Sequence, residues 1–344
     1  MHVVIAPDSF KGTATAASVA AAIGTGWSSE RPDDEVVLVP MADGGEGTLD
    51  AFETAFPDAV RIPITVTGPA GTPVDTSWLQ LPDGRAVVEL AATSGLPLLS
   101  EPLPDTATSR GFGEAIAAAL DAGAAGLVLG IGGSASTDGG RPVLEALGFG
   151  TPSGLRPLPP HGVTVLTDVT SPLLGPTGAA AVFGPQKGIT PDRVAAFDAA
   201  LAAWAARFPH VDPTTPGAGA AGGVGFGLLA WGASLARGAD GVAEVLGLPA
   251  LLRGADVVIT GEGRYDGQSA VGKVPSVVRA LTTANAPGAR SMLVAGAIDA
   301  PLDGLDAAAS LTVLATQTTG EPADALAEPL RFAAIAGQRL ARMS

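Results

Sequence analysis

The chain has 344 residues, of which 47% are hydrophobic and 15% are charged, a length that suggests roughly two domains with a sizeable core. Its formal net charge of −15 argues against nucleic acid or an anionic membrane as a partner, because like charges repel. The absence of cysteine excludes disulfides, thiolate metal sites and a thiol nucleophile.

Short apolar runs that end in Gly, Asp or Ser recur along the chain. In order, these runs are residues 3–5, 36–39, 127–129, 163–166, 257–259 and 293–295. Continuous apolar runs bounded by turn signals are typical of buried parallel strands, and the Ala-rich intervals 14–27 and 113–122 are typical of helices. The sequence therefore predicts an α/β architecture.

The pattern of apolar runs and turn residues changes near residue 65. Residues 65–88 combine strand-like runs with Gly, Pro and Asp turns, which predicts antiparallel hairpins. The simple α/β rhythm resumes near Asp256. These changes predict one domain made from both ends of the chain, residues 1–65 and 255–344, with a second α/β domain, residues 66–254, inserted into it.

The sequence contains no stretch of about 18 uninterrupted apolar residues and no basic segment before an apolar run at its N-terminus. We therefore expect a soluble, cytoplasmic protein without a membrane partner. Its histidines, His2, His161 and His210, lie far apart in sequence, so histidine-based catalysis is not expected. Nothing in the sequence indicates an oligomeric state.

Lysine is rare and unusually placed in this chain. Sixteen arginines accompany only three lysines, Lys11, Lys187 and Lys273, and each lysine adjoins a glycine. Lysine binds phosphate as a mobile point charge, whereas arginine offers a fixed fork of donors. The pattern predicts three positions where a cation meets an anion; the alternative is that each is a solvated surface lysine.

Two glycine motifs resemble nucleotide-binding patterns without their required context. Residues 217–222 match G-x-G-x-x-G, but prolines precede them where a strand should stand, so a backbone turn or anion nest is the better interpretation. Residues 267–273 match G-x-x-x-x-G-K, but Val274 and Pro275 follow where a P-loop has Ser or Thr. Lys273 still follows a strand on a glycine loop, where it can meet a phosphate.

Residues 131–140 form a Gly/Ser/Thr segment directly after a predicted buried strand. Such a segment offers unhindered backbone N–H groups and hydroxyls to an anion and is typical of phosphate-binding loops. The alternative is a connector whose glycines serve left-handed turns.

Acidic residues follow the predicted strands at the edge where parallel sheets bind ligands. They are Asp8, Asp43, Glu46, Asp168, Glu262 and Asp266. Phosphoryl transfer from ATP needs acids that hold Mg²⁺ and orient the attacking hydroxyl, together with cations that hold the phosphates. The chain supplies both, although some of these acids are expected only to cap helices or shape turns.

Several segments resemble the type I glycerate kinase family (D-glycerate kinase). The segments are residues 4–12, 40–48, 130–135, 168–170, 172–175, 182–188, 217–223 and 260–264. The resemblance implies Mg²⁺-assisted phosphorylation of D-glycerate by ATP, giving 2- or 3-phosphoglycerate, in an interdomain cleft. It also implies a flavodoxin-like, Rossmann-like parallel-sheet domain formed by both termini, with a second mixed α/β domain inserted between them.

On this resemblance we assign the site residues as hypotheses. The catalytic residues are Lys11, Asp168 and Asp43, with Asp168 the first choice of base. The substrate contacts are Asp8, Ser9 and Arg264. The nucleotide contacts are Gly132, Gly133, Ser134, Asp138, Lys187 and Lys273. The magnesium ligands are Asp43, Glu262 and Asp266.

The chain departs from the family pattern at two points near this site. Arg141-Pro142 stands where a small residue and glycine are expected, and Ser171 replaces the usual Asn. A kinase of a related sugar acid and a non-catalytic binder of a hydroxy acid or nucleotide therefore remain as alternatives.

Overall fold

The structure is a computed structural model that describes residues 1–10, 12–42, 44–267 and 273–344. Two predicted catalytic residues, Lys11 and Asp43, lie outside these ranges, and so do residues 268–272 of the second glycine motif. Within the described residues, no helix is long and apolar enough to cross a membrane.

The described residues form strands and helices that alternate along most of the chain. The strands are β1 (His2–Pro7), β2 (Glu35–Leu38), β3 (Val60–Thr67), β4 (Pro73–Gln80), β5 (Arg85–Glu89), β6 (Gly126–Gly130), β7 (Val163–Thr167), β8 (Ser234–Arg237), β9 (Val257–Tyr265), β10 (Arg290–Ile298) and β11 (Ala307–Ser310). The helices are α1 (Ala16–Glu30), α2 (Thr48–Ala55), α3 (Leu90–Ser94), α4 (Arg110–Asp121), α5 (Arg141–Ala146), α6 (Ala179–Phe183), α7 (Val194–Ala205), α8 (Ala220–Trp231), α9 (Gly238–Val245), α10 (Leu248–Leu251), α11 (Val274–Asn285), α12 (Leu311–Thr319), α13 (Asp324–Ala327) and α14 (Pro329–Arg342).

The first of two compact units comprises Met1–Ala42, Asp50–Ala55 and Ala239–Ser344. Its strands are all parallel and lie in the order β11-β10-β9-β1-β2. Numbered within the unit and counted from β2, this is the order 2-1-3-4-5 that characterises flavodoxin-like folds. The flavodoxin-like domain built from both ends of the chain is therefore confirmed.

Small residues bring two helices of this unit into backbone contact. A Cβ atom added to Gly26 of α1 would lie 1.9 Å from the carbonyl oxygen of Ala334 in α14. One added to Gly337 would lie 2.2 Å from the carbonyl oxygen of Ile23. The two helices can pack this closely only because both positions lack a side chain.

The second unit comprises Asp43–Leu49 and Phe56–Gly238. Its sheet has the order β3-β4-β5-β6-β7-β8, in which β3, β4 and β5 pair antiparallel and β5 to β8 pair parallel. The mixed α/β character predicted for the inserted domain is confirmed. Where the domains divide stays a prediction: the sequence places the limits near residues 65 and 255, and these units change over after residues 55 and 238.

Candidate active site

Residues 131–140, here called the glycine-rich loop, leave the carboxyl end of β6. The amide of Gly132 donates a 2.7 Å hydrogen bond to the carbonyl oxygen of Gly44, from a segment that lies far away in sequence. The carbonyl oxygen of Gly133 accepts a 2.9 Å bond from the amide of Leu96. The loop is thus fixed by backbone bonds to two other segments of the second unit.

The segment that begins at Gly44 lies across the carboxyl ends of β6 and β7. A Cβ atom at Gly44 would come 2.2 Å from the carbonyl oxygen of Leu166, and the residue has a φ of +83°. A Cβ atom at Gly130, the last residue of β6, would come 2.9 Å from the carbonyl oxygen of Gly44. Only glycine fits this approach of one backbone to another.

A buried carboxylate, Glu89 at the end of β5, holds the start of α2. Its side chain accepts hydrogen bonds from the amides of Gly47 at 3.4 Å and Leu49 at 3.0 Å. A carboxylate at a helix N-terminus is favourable because it satisfies amides that lack helical partners. The sequence analysis missed Glu89, although its position directly after an apolar strand was a signal for it.

The ammonium group of Lys187 lies beneath the glycine-rich loop. Lys187 is only 2% exposed, and its Nζ donates to Ser134 Oγ at 2.6 Å and to the Ser136 carbonyl oxygen at 2.5 Å. Burial lowers the pKa of Lys187 from 10.5 to about 7, while the charge of Asp138 acts in the opposite direction. Two predicted nucleotide contacts, Ser134 and Lys187, therefore lie together.

The carboxylate of Asp138 joins the glycine-rich loop to the start of α4. It accepts hydrogen bonds from the Ser109 amide at 2.8 Å, the Ser109 hydroxyl at 3.1 Å and the Gly140 amide at 3.0 Å. Burial raises the pKa of Asp138, and these donors oppose the increase. The geometry gives this predicted nucleotide contact a role in holding the loop.

The G-x-G-x-x-G segment, residues 217–222, ends in the left-handed residues Ala221 and Gly222, with φ of 55° and 66°, and Gly223 directly after it has a φ of 92°. Ala221 is the one described residue other than glycine with a positive φ. The carbonyl oxygen of Gly222 accepts a 3.0 Å bond from the Gly139 amide. The end of the segment therefore packs against the glycine-rich loop.

Asp168, the first choice of catalytic base, directly follows β7 and is exposed. Gly130 of β6 pairs in register with Leu166 of β7. Because these strands are parallel, Asp168 and the glycine-rich loop emerge at the same edge of the sheet.

In the first unit, Asp8 and Ser9 follow β1, beside the strand that carries Glu262. The amide of Asp8 donates a 2.8 Å bond to the carbonyl oxygen of Gly261. The Asp8 carboxylate accepts a 2.7 Å bond from the Ser9 amide. The predicted substrate contacts therefore lie at the carboxyl edge of this sheet.

Lys273 lies between the two described acids that were predicted to bind metal. Its Nζ is 3.8 Å from Glu262 Oε2 and 3.9 Å from Asp266 Oδ1. Glu262 is buried, whereas the side chain of Lys273 is 41% exposed. No group of three or more acidic or histidine residues that could hold a metal is found among the described residues.

Arg264, a predicted substrate contact, projects from the end of β9. Its Nε lies 2.7 Å from Asp299 Oδ2, and the two side chains are 70% and 46% exposed. The neighbouring strand β10 ends at Ile298, so Asp299 follows it directly. The exposed guanidinium is thus oriented by an acid that the sequence analysis had not assigned.

The comparisons with known proteins point to one family. The family model described as "Glycerate kinase family" matches residues 3–154 and 151–344. The chain belongs to the glycerate kinase family. Family membership makes it a kinase.

Named members of the glycerate kinase family are similar over most of the chain. A "Glycerate 2-kinase" of Escherichia coli (strain K12) is 43% identical over 80% of this chain and 80% of its own length. A "Glycerate kinase" of Bacillus subtilis (strain 168) is 41% identical over 83% of each protein. A crystal structure assigned to glycerate kinase 2 from Salmonella typhimurium LT2 has a TM-score of 0.79 and 38% identity, covering 100% of this chain and 98% of that one.

The first departure from the glycerate kinase pattern, Arg141-Pro142, starts helix α5. Proline in a first helical turn costs little, because its missing amide would have no helical partner there. The side chain of Arg141 is 60% exposed and pairs with Glu145 at 2.7 Å. The charged side chain of this departure therefore pairs within its own helix.

Ser171, the second departure from the family pattern, contacts the G-x-G-x-x-G segment through its backbone carbonyl group. Its carbonyl oxygen accepts hydrogen bonds from the amides of Gly217 at 3.2 Å and Gly219 at 3.0 Å. A Cβ atom at Gly219 would come 2.1 Å from the carbonyl oxygen of Pro172. These bonds are independent of the side chain at position 171.

Proposed function

We propose that this chain transfers the γ-phosphoryl group of ATP to D-glycerate and releases 2- or 3-phosphoglycerate. Membership of the glycerate kinase family and the names of its relatives support the reaction class and the acceptor. The observation that carries the proposal is the glycine-rich loop with the buried cation of Lys187 bonded to it.

The glycine-rich loop is the proposed site for the nucleotide phosphates. Gly132 and Gly133 supply backbone without side-chain obstruction, and Ser134 supplies a hydroxyl, which together suit a phosphate. Among the described residues, the buried Thr137 Oγ1 has no hydrogen-bond partner. Buried hydroxyls are normally satisfied, so an incoming ligand is a natural partner for it. Lys187 supplies positive charge below the loop.

The carboxyl edge of the first unit is the proposed site for glycerate. Arg264 presents a fork of donors that matches a carboxylate, and its exposure leaves it accessible. Asp8 and Ser9 offer polar groups for the substrate hydroxyls. Lys11, which lies outside the described residues, completes the set as a predicted catalytic residue.

Asp168 is the proposed general base that accepts the proton of the attacking hydroxyl, and Asp43, outside the described residues, is the second choice. General base catalysis by a positioned carboxylate contributes about 10²–10⁴-fold. Its role is distinct from that of the loop residues.

Mg²⁺ is part of the proposal, with Glu262, Asp266 and Asp43 as ligands. Both described acids approach the ammonium of Lys273 within 4 Å, and carboxylate oxygens are ligands that a hard cation such as Mg²⁺ takes. Magnesium commonly takes only one or two carboxylates and keeps several waters. When bound, it would neutralise the charge of the transferring phosphoryl group.

The proposal places the kinase in the cytoplasm, with ATP and D-glycerate as its small-molecule partners and without nucleic acid or membrane. The net charge of −15 supports the exclusion of nucleic acid. Related sugar acids remain the alternative acceptors, because discrimination among them rests on a few hydroxyl contacts.

The test is turnover of ATP with D-glycerate, L-glycerate and a panel of sugar acids, each with Mg²⁺ or with EDTA. Release of ADP with D-glycerate, and phosphorus NMR of the product, would support the proposal and identify the phosphorylated hydroxyl. Turnover restricted to another sugar acid would replace the acceptor. Binding of ATP and D-glycerate by calorimetry without turnover would instead favour the non-catalytic alternative.

A further inference from the structure

The side-chain amine of Lys187 is hydrogen-bonded to protein groups and is not exposed to solvent. An ammonium group has three donors, and two of them are occupied by the Ser134 hydroxyl and the Ser136 carbonyl. These acceptors lie two residues apart in the glycine-rich loop, so the bonds fix the loop at two points.

Gly222 closes the space over this amine. A Cβ atom at Gly222 would lie 2.9 Å from Lys187 Nζ and 2.1 Å from the Ser136 carbonyl oxygen. The left-handed backbone at Gly222 therefore lies close to both the glycine-rich loop and the amine of Lys187. Together with the 2% exposure of Lys187, this contact encloses the amine.

This arrangement carries an electrostatic cost. A buried charge is unfavourable unless it is paired, and Asp138 is the charged group that acts on the Lys187 amine. Asp138 is itself bonded to Ser109 and Gly140. A neutral side chain of equal length would avoid the cost, but it would leave the Ser136 carbonyl without its donor.

We propose that Lys187 is a positioning residue, which sets the conformation of residues 134–136 for nucleotide binding through its two hydrogen bonds and makes no direct contact with the phosphates. The inference rests on the proposed function, since it assigns how the nucleotide site of that kinase is prepared. It replaces the direct phosphate contact that the sequence suggested for this lysine.

The indole group of Trp204 can report on the conformation of the glycine-rich loop without a measurement of activity. The indole Nε1 of Trp204 donates a 3.0 Å bond to the Gly139 carbonyl oxygen, in the same loop. The chain has four tryptophans, so ¹⁵N-edited NMR gives few indole signals, and Trp204→Phe assigns the relevant one.

The experiment compares Lys187→Met, Ser134→Ala and the control Arg193→Met with the wild-type chain. Arg193 is an exposed cation six residues beyond Lys187 and pairs with Asp105 on the surface. Each variant is measured for the Trp204 indole shift, AMP-PNP affinity by calorimetry, and kcat and KM for ATP and D-glycerate. Ser134→Ala keeps Lys187 and carries the test if Lys187→Met does not fold.

Lys187→Met is expected to shift the Trp204 indole signal without ligand and to weaken AMP-PNP binding about ten- to a hundredfold, as loss of charged hydrogen bonds implies. Ser134→Ala should act in the same direction but less strongly, and Arg193→Met should match the wild type. An unchanged indole signal in Lys187→Met and Ser134→Ala would overturn the inference, whether or not AMP-PNP binding falls.

A pH titration of the indole signal separates this inference from the kinase assignment. The wild-type shift should change with a midpoint near the lowered pKa of Lys187, about 7, and this step should vanish in Lys187→Met, which retains Asp138. A step that persists in Lys187→Met would contradict the inference. If D-glycerate is not turned over but the indole responses occur, the acceptor is wrong and the positioning role stands.

Discussion

Lys187 donates a 2.6 Å hydrogen bond to the hydroxyl of Ser134, a residue 53 positions earlier in the chain. The bond joins the last residue of a 3₁₀ turn, Pro185–Lys187, to the loop that follows β6. Both partners are buried, so the bond lies in a medium where electrostatic interactions are strong. The bond therefore fixes the ammonium group of Lys187 to the loop of the proposed nucleotide site.

The buried lysine should make stability depend on pH. The pKa of Lys187 is lowered from 10.5 to about 7, so between these values the unfolded chain binds the proton and the folded chain does not. The contribution of Lys187 to stability therefore rises with pH across this window and is lowest below pH 7. Urea unfolding from pH 6 to 10 should show a free energy of unfolding that rises more steeply for the wild type than for Lys187→Met; parallel curves would contradict the lowered pKa.

Gly222→Ala should disrupt the glycine-rich loop. The new methyl group would meet the Ser136 carbonyl oxygen at 2.1 Å, and its residue would keep a φ of +66°. Gly150→Ala is the matched control, because Gly150 has a φ of +83° with open space around it. We expect both variants to lose about 1 kcal/mol from backbone strain, and Gly222→Ala to lose about 1–3 kcal/mol more from the clash. If Gly222→Ala and Gly150→Ala lost the same stability in thermal unfolding, the glycine-rich loop would have to move aside for the new methyl group at no cost in free energy.

Asp168→Asn should lower kcat for D-glycerate about 100-fold or more, because an amide cannot accept the proton of the attacking hydroxyl. Glu101→Gln, a similar change at another exposed acid, serves as the control. Steady-state kinetics with both variants provides the measurement. Normal turnover of folded Asp168→Asn would transfer the base role to Asp43.

Arg141→Ala should have little effect on nucleotide use. The Arg141–Glu145 pair is exposed and spaced i,i+4, an arrangement that contributes about 0.3–0.5 kcal/mol to stability. The guanidinium also lies 5.9 Å from the Trp204 ring centroid, a contact of similarly small weight. KM for ATP is expected to stay within about threefold of the wild type, a change worth less than 1 kcal/mol. A larger rise would mean that this departure from the family pattern reaches the loop.

The sequence by itself determined the fold class and the edge of the sheets where chemistry is expected. Apolar runs that end in Gly, Asp or Ser are local signals, and parallel strands bring their carboxyl ends to one edge by geometry alone. For that reason the strands that contain residues 3–5 and 127–129 were predicted correctly. The sequence pattern likewise predicts that acids and glycines follow these strands at their carboxyl ends.

Only the tertiary structure decided which of these groups meet. Lys187 bonds to Ser134, Asp138 to Ser109 and Lys273 approaches Glu262, and none of these pairs is implied by spacing along the chain. Glu89 was missed because its role depends on amides contributed by a segment 40 residues away. The physical reason is that hydrogen bonding and burial are set by long-range packing, whereas the pattern of apolar residues reports only on the local strand or helix.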